Sequence, residues 1–102
     1  MHLIQIFLPL YDNDKKRLPR ELYDTVQREL AEEFGGLTAH SRAPAEGLWK
    51  QDDTSATRDD IVIYEVMAEK LNKAWWKRYR TSLEERFRQD VIIVRAQEIQ
   101  LL

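Results

Sequence analysis

The sequence predicts an α+β plait with the element order βαββαβ. Three observations carry that expectation. Short runs at both ends and in the middle of the chain alternate apolar residues with period two, as half-buried strands do. Two longer stretches without internal Gly repeat apolar residues at spacings of three and four, the period of a helix with one buried side. The two stretches also match each other. Displaced by 53 positions, Leu18, Leu22, Tyr23, Val26, Leu30 and Phe34 fall on Leu71, Trp75, Trp76, Tyr79, Leu83 and Phe87.

Each element follows from local chemistry. His2–Leu8 is an apolar run closed by Pro9, which fits a buried strand. Tyr11–Arg17 is charged and rich in turn formers, so it reads as a loop. Leu18 and Pro19 open a helix, with Pro in the first turn where no donor is needed. That helix runs to Phe34 and stops at Gly35-Gly36. Leu37–Arg42 alternates as a strand, Pro44 interrupts it and Gly47–Lys50 resumes it, the pattern of a bulged edge strand. Gln51–Arg58 is a polar hairpin tip and Asp60–Ala68 the clearest strand. Glu69–Arg88 is a helix, Val91–Gln97 the last strand and Glu98–Leu102 a tail.

For one small domain spanning residues 1–102, this order favours the split βαβ, ferredoxin-like arrangement. Its antiparallel sheet has the order 4-1-3-2, and right-handed crossovers put both helices on one face. The Trp75-Trp76 pair lies on the apolar stripe and reads as core packing rather than an aromatic binding box.

Composition excludes several function classes. The chain has 102 residues and no Cys, which removes disulfides, thiol catalysis and cysteine-based metal sites. His2 and His40 are the only histidines and lack ligand spacing, so no metal site is expected. Asp12-Asn13-Asp14 begins like a calcium loop but lacks the Gly and the distal acid. No Gly-rich phosphate loop or nucleophile elbow is present, and no cofactor is expected. The N-terminus has no basic opening, and no apolar run reaches the roughly 18 residues of a membrane span. The expectation is a cytoplasmic protein with no membrane partner.

Lys and Arg number 16 against 18 Asp and Glu, a balance that gives no general attraction to nucleic acid. Lys73, Lys77, Arg78 and Arg80 read as a solvated helix side, balanced by Glu84 and Glu85. RNA-binding plaits stack bases on aromatics of the central strands. Here the open face offers only Phe7, with Glu65 in mid-platform, so no nucleic-acid partner is expected.

Period two sorts the strands into two faces. Ile4, Ile6, Leu8, Val62, Tyr64, Val66, Ile92, Val94 and Ala96 form the helix-covered set. The opposite set holds Leu3, Phe7, Ile61, Ile63, Met67, Val91 and Ile93 around Gln5, Glu65, Arg95 and Gln97. Such an apolar open face calls for a partner, and a second copy in a homodimer is the expected one. Arg95, Gln5 and Glu65 fall on adjacent strands, and an outward set of Thr38, His40 and Arg42 adds His40 to the row.

That row is open to three readings. The first is a homodimer that binds a small acidic or carbonyl ligand through Gln5, Arg42, Trp49 and Arg95. The second is a cofactor-independent enzyme in which His40 shuttles a proton and Glu65 orients it. The third is a pure interaction domain, the row being a hydrogen-bonded ion-pair network at the interface.

The segment Ala43-Pro44-Ala45-Glu46-Gly47-Leu48-Trp49-Lys50, a polar tip, and Arg58-Asp59-Asp60-Ile61-Val62 follow one another. Together they resemble small bacterial plait proteins of uncharacterised function with a Gly-x-Trp strand entering a hairpin. More loosely, the architecture is similar to the dimeric α+β barrel superfamily. That superfamily holds cofactor-independent monooxygenases, isomerases and small-ligand binders. The resemblance implies a dimeric plait of one of those classes, and carries over no catalytic residue.

Overall fold

Strand β1 (His2–Pro9) occupies the interior of a four-stranded antiparallel sheet. In this computed structural model, which describes residues 1–42 and 61–102, the remaining elements are α1 (Arg20–Phe34), β2 (Thr38–Arg42), β3 (Ile61–Ala68), α2 (Lys73–Arg86) and β4 (Val94–Glu98). The sheet order is β2-β3-β1-β4, the expected order read from the other edge. The expected bulge at Pro44, the Gly47–Lys50 continuation, the Gln51–Arg58 tip and Asp60 lie outside the described residues.

The register is fixed on both sides of β1. Gln5 stands opposite Glu65 of β3 and opposite Arg95 of β4. Two backbone bonds bracket the β1–β4 ladder: Phe7 N–H to Ile93 O, and Ile99 N–H to Met1 O, both 3.0 Å. In an antiparallel ladder hydrogen-bonded and non-bonded pairs alternate. The odd residues of β1 therefore exchange bonds with β4, and Val94 and Ala96, opposite Ile6 and Ile4, turn their N–H and C=O groups to the free edge.

Helix ends depart from the sequence expectation where a specific cap intervenes. α1 starts just after Pro19, which is extended at φ −64°, and ends at Gly35, which takes φ 80° and bonds back to Ala31 O. α2 begins at Lys73 rather than Glu69, because the Asn72 side chain accepts the Trp75 N–H at 3.0 Å. A cap of that kind fixes the first helical turn. It ends before Arg88, which adopts φ 56°. β4 starts at Val94 rather than Val91, since the Ile92 N–H is bound to Glu84 Oε2 at 3.0 Å and held to α2. The ladder also includes Glu98, placed in the tail by the sequence.

The loop after β1 closes on itself. Asp12 Oδ1 accepts the N–H groups of Asp14 and Lys16 at 2.8 Å, and Tyr11 bridges to Arg17.

Both helices contribute to one core against the even side of β1. Ile4, Ile6, Leu8, Tyr64 and Val66 pack with Tyr23, Val26 and Leu30 of α1 and Trp76, Tyr79 and Leu83 of α2. The equivalent positions Tyr23/Trp76, Val26/Tyr79 and Leu30/Leu83 are all buried, so the internal repeat corresponds to matching burial at the centre of each helix. Trp76 stacks on Phe34 at 5.3 Å between ring centroids, and Trp75 meets the same ring edge-on. Ala96 corrects the core assignment: it is exposed, because it lies on the edge strand where a groove separates β4 from α2.

Polar clamps join the layers. Tyr23 OH donates to Pro9 O, and Gln27 donates to Tyr64 OH at 2.8 Å. Glu29 Oε1 accepts from Tyr79 OH at 2.7 Å and from Arg86 at 2.8 Å, tying α1 to α2. Burial alone would raise the Glu29 carboxyl; those two bonds and the Arg86 charge outweigh it and hold the group below its ordinary value.

The two glycines after α1 are not equivalent. Both have open space where a Cβ would stand, but only Gly35 has positive φ. Gly35→Ala is expected to destabilise the protein by about 1 kcal/mol, the cost of a left-handed L-residue. Gly36→Ala should stay within about 0.5 kcal/mol of wild type. Urea unfolding measures both, and equal losses would refute the cap assignment.

Candidate functional site

The odd side of β1 faces away from the helices, and its one polar side chain within the strand is Gln5. Its neighbours in the two ladders supply a cation and an anion, Arg95 and Glu65. Arg95 Nε donates to Gln5 Oε1 at 2.8 Å, and Gln5 Nε2 donates to Glu65 Oε2 at 2.6 Å. The Gln5 amide can do both because its oxygen accepts from the guanidinium while its NH2 donates to the carboxylate. β2 completes the row. Thr38 stands directly opposite Glu65 and His40 opposite Ile63, so His40 is diagonal to Glu65 on the same face. His40 Nε2 lies 3.2 Å from Glu65 Oε1.

The structure thus joins four of the sequence-predicted site residues, Arg95, Gln5, Glu65 and His40, in one line across four strands. Arg42 stands opposite Ile61 at the far end of β2. Trp49 lies outside the described residues.

The row is polarised. The Gln5 bond is the main influence on the Glu65 carboxyl; it and His40 outweigh the smaller effect of burial and hold the group below its ordinary value. The Glu65 side chain is 22% exposed and that of His40 51%, so the imidazole meets solvent while the carboxylate is largely covered. At the other end the Arg95 guanidinium lies 4.8 Å from the Phe7 ring centroid, a cation–π distance. Nε is its bonded atom; its terminal nitrogens have no partner among the described residues.

Apolar side chains flank the row. Leu3, Phe7 and Ile63 are half-buried, while Met67, Ile93 and Val91 are 49%, 56% and 71% exposed. A depression beside Leu3, Gln5, Arg95 and Gln97 measures about 30 Å³, room for about one water. No group of three His, Asp or Glu side chains suited to a metal occurs among the described residues.

A second concavity escaped the sequence reading. A groove of about 180 Å³ runs between α2 and β4, with Trp76 and Val94 in its lining and Lys73, Lys77 and Arg80 around it. The signal was present: spacings of four and three place those cations on one side of a helix. Their position beside an open sheet edge is a tertiary fact.

The polarity of the row gives a pH test. A carboxyl held low in the folded state adds stability that is complete above the ordinary carboxylate range and is lost as pH falls through the lowered value. In Gln5→Leu the main holding bond is gone, and an NMR titration should show the Glu65 carboxyl moving back up. An unmoved titration would mean that Gln5 does not hold it.

No family model matches the chain, and no curated protein matches it. Two solved structures share its fold. One is a phage SAM lyase in complex with S-methyl-5'-thioadenosine, with TM-score 0.59 and 20% identity over 95% of this chain and 80% of that one. The other is a phage SAM lyase in the apo state, with TM-score 0.52 and 19% identity over 94% and 78%. At that identity the likeness is one of fold.

Proposed function

We propose that this chain is a homodimeric, single-domain, ferredoxin-like module that binds a small acidic or carbonyl ligand on its open sheet face. The observation that carries the reading is the hydrogen-bonded row Arg95–Gln5–Glu65–His40 on an otherwise apolar surface. The row crosses three strand spacings, about 14 Å, a length suited to a small molecule. Arg95 offers its two terminal nitrogens as a forked donor to a carboxylate or carbonyl. Glu65 and His40 receive donor groups at the other end, and Phe7 and Ile63 take the apolar part. A protein of the same fold is in complex with S-methyl-5'-thioadenosine, which supports a small-molecule role for this fold. No cofactor, nucleic acid or membrane enters this reading.

The depression at the row is too small to enclose such a ligand, so the site needs a cover. A twofold partner placed sheet against sheet supplies it and buries Met67, Ile93 and Val91. Each large apolar side chain removed from water contributes about 1.5–3 kcal/mol. The same placement lets copies of Glu65 and Arg95 approach across the axis, which offsets the burial of either charge alone.

A second reading is favoured by the 3.2 Å contact of His40 with Glu65. In it the same face is a cofactor-independent catalyst, His40 passing a proton to or from the bound molecule while Glu65 fixes its ring.

Calorimetric titration with S-methyl-5'-thioadenosine, SAM and a panel of small carboxylates tests the first reading. Saturable binding that weakens about tenfold or more in Arg95→Ala is expected, since a charge-assisted bond is lost. No binder, or binders indifferent to Arg95, would overturn it and leave the pure interaction domain. Turnover that disappears in His40→Gln while binding persists would establish the catalytic reading instead.

The dimer is tested apart from the ligand. Ile63→Asp places a charge in the covered face and should yield monomers or aggregates in sedimentation. A wild-type protein that stays monomeric at micromolar concentration would refute the sheet-to-sheet dimer.

A further inference from the structure

The groove between α2 and β4 combines three features that neither the polar row nor the dimer uses. The first is an open sheet edge. Among the described residues β4 pairs with β1 alone, and the outward N–H and C=O groups of Val94 and Ala96 have no partner. The second is a line of cations. Lys73, Lys77 and Arg80 stand along the groove on the α2 side. Neither lysine has a carboxylate partner among the described residues, and Arg80 shares Glu84 with the Ile92 N–H, at 3.7 Å from its Nε. The third is an apolar floor of Ile4, Trp76 and Val94.

The charge is specific to this helix. α2 carries five basic residues, Lys73, Lys77, Arg78, Arg80 and Arg86, against Glu84 and Glu85. α1, its counterpart in the internal repeat, carries Arg20 and Arg28 against five acids. Equivalent helices with equivalent cores therefore differ in sign, and the positive one borders the free strand edge.

We propose that this edge binds an extended acidic peptide segment of a partner protein, which adds antiparallel to β4 as a fifth strand. Strand addition satisfies the backbone groups that β4 leaves open, and side chains on alternate residues supply selectivity. Register dictates which residues those are. A strand residue bonded to Val94 or Ala96 points its side chain to the same side as they do, toward α2. Acidic residues at these alternate positions meet Lys73, Lys77 and Arg80. The intervening residues point to the apolar open face beside Ile93.

Competing occupants fit less well. A nucleic-acid backbone offers acceptors to the cations but no donors at strand spacing, so the Val94 and Ala96 carbonyls stay unpaired. A second copy paired edge to edge would bring two sets of Lys73, Lys77 and Arg80 together across a twofold axis, where they repel. Lysines can also simply guard a bare edge against pairing, and that outcome is part of the test.

The probe is a fluorescein-labelled peptide of alternating Glu and Val, titrated into the full chain at low salt and followed by anisotropy. Saturable, salt-sensitive binding is expected, weakened about tenfold or more in the Lys73→Glu/Lys77→Glu variant. Two backbone-methylated probes locate the bonds. Methylation of the Glu amides, which face β4, should abolish binding, and methylation of the Val amides should leave it. In the protein, Ala96→Pro removes an outward donor and leaves the β1 ladder untouched, as edge positions allow; it should lose the peptide while keeping a native circular dichroism spectrum. Should that variant misfold, the methylated probes read the same bonds in the wild-type chain.

Absence of saturable binding would overturn the proposal and assign the lysines to edge protection. Equal binding of both methylated probes, or of the unmethylated probe by folded Ala96→Pro, would also overturn it. Tighter binding of a thymidylate oligonucleotide would replace it with a nucleic-acid surface. None of these results depends on Arg95 or Ile63, so each is separable from the small-molecule reading.

Discussion

The pairing of β1 with a neighbour on each side governs the rest of the molecule. Because side chains alternate, one register decides two surfaces at once. Ile4, Ile6 and Leu8 enter the core at 1% exposure or less, and Gln5 is thereby carried to the opposite face between Arg95 and Glu65. A one-residue slip of β1 would turn Gln5 toward the helices, and a slip of β3 or β4 would turn Glu65 or Arg95 there; each breaks the row. The same register settles which β4 backbone groups bond to β1 and which face outward.

The two halves of the chain share a packing scheme and divide the polar work. Tyr23, Val26 and Leu30 on α1 and their counterparts on α2 fill the same layer. Their polar atoms differ. Tyr23 is anchored to the end of β1 through Pro9, while Tyr79 and Arg86 converge on Glu29. The acidic helix and the basic helix are thus tied by a clamp in which α1 provides the carboxylate and α2 the guanidinium. Outside the clamp the excess charge of each helix faces solvent, with the positive excess beside β4.

The polar row and the edge groove are two ends of one geometry. Arg95 belongs to the row through Nε, and its strand neighbours Val94 and Ala96 line the groove on the helix side. A strand five residues long therefore presents a side-chain cation to the open face and, at the edge, backbone groups without a partner among the described residues. The row is held by its own bonds: the amide between a guanidinium and a carboxylate accepts from one and donates to the other.

Element order, the helix stop at Gly35, the core stripe and the two faces of the sheet are legible in the residues alone. Those follow from local periodicity and from residues such as Gly35 whose backbone preference is intrinsic. The sequence also named the members of the row, since parity alone puts Gln5, Glu65 and Arg95 on one side and strand order makes them neighbours. It misplaced the start of α2 and the start of β4, because a cap at Asn72 and the bond from Ile92 to Glu84 compete locally with periodicity. The bonding direction through Gln5, the diagonal approach of His40, the exposure of Ala96 and the groove beside Lys73 and Lys77 emerge once the chain is folded. Each depends on distance between segments far apart in the chain, and a pattern of residue types carries no distance until the sheet register supplies it.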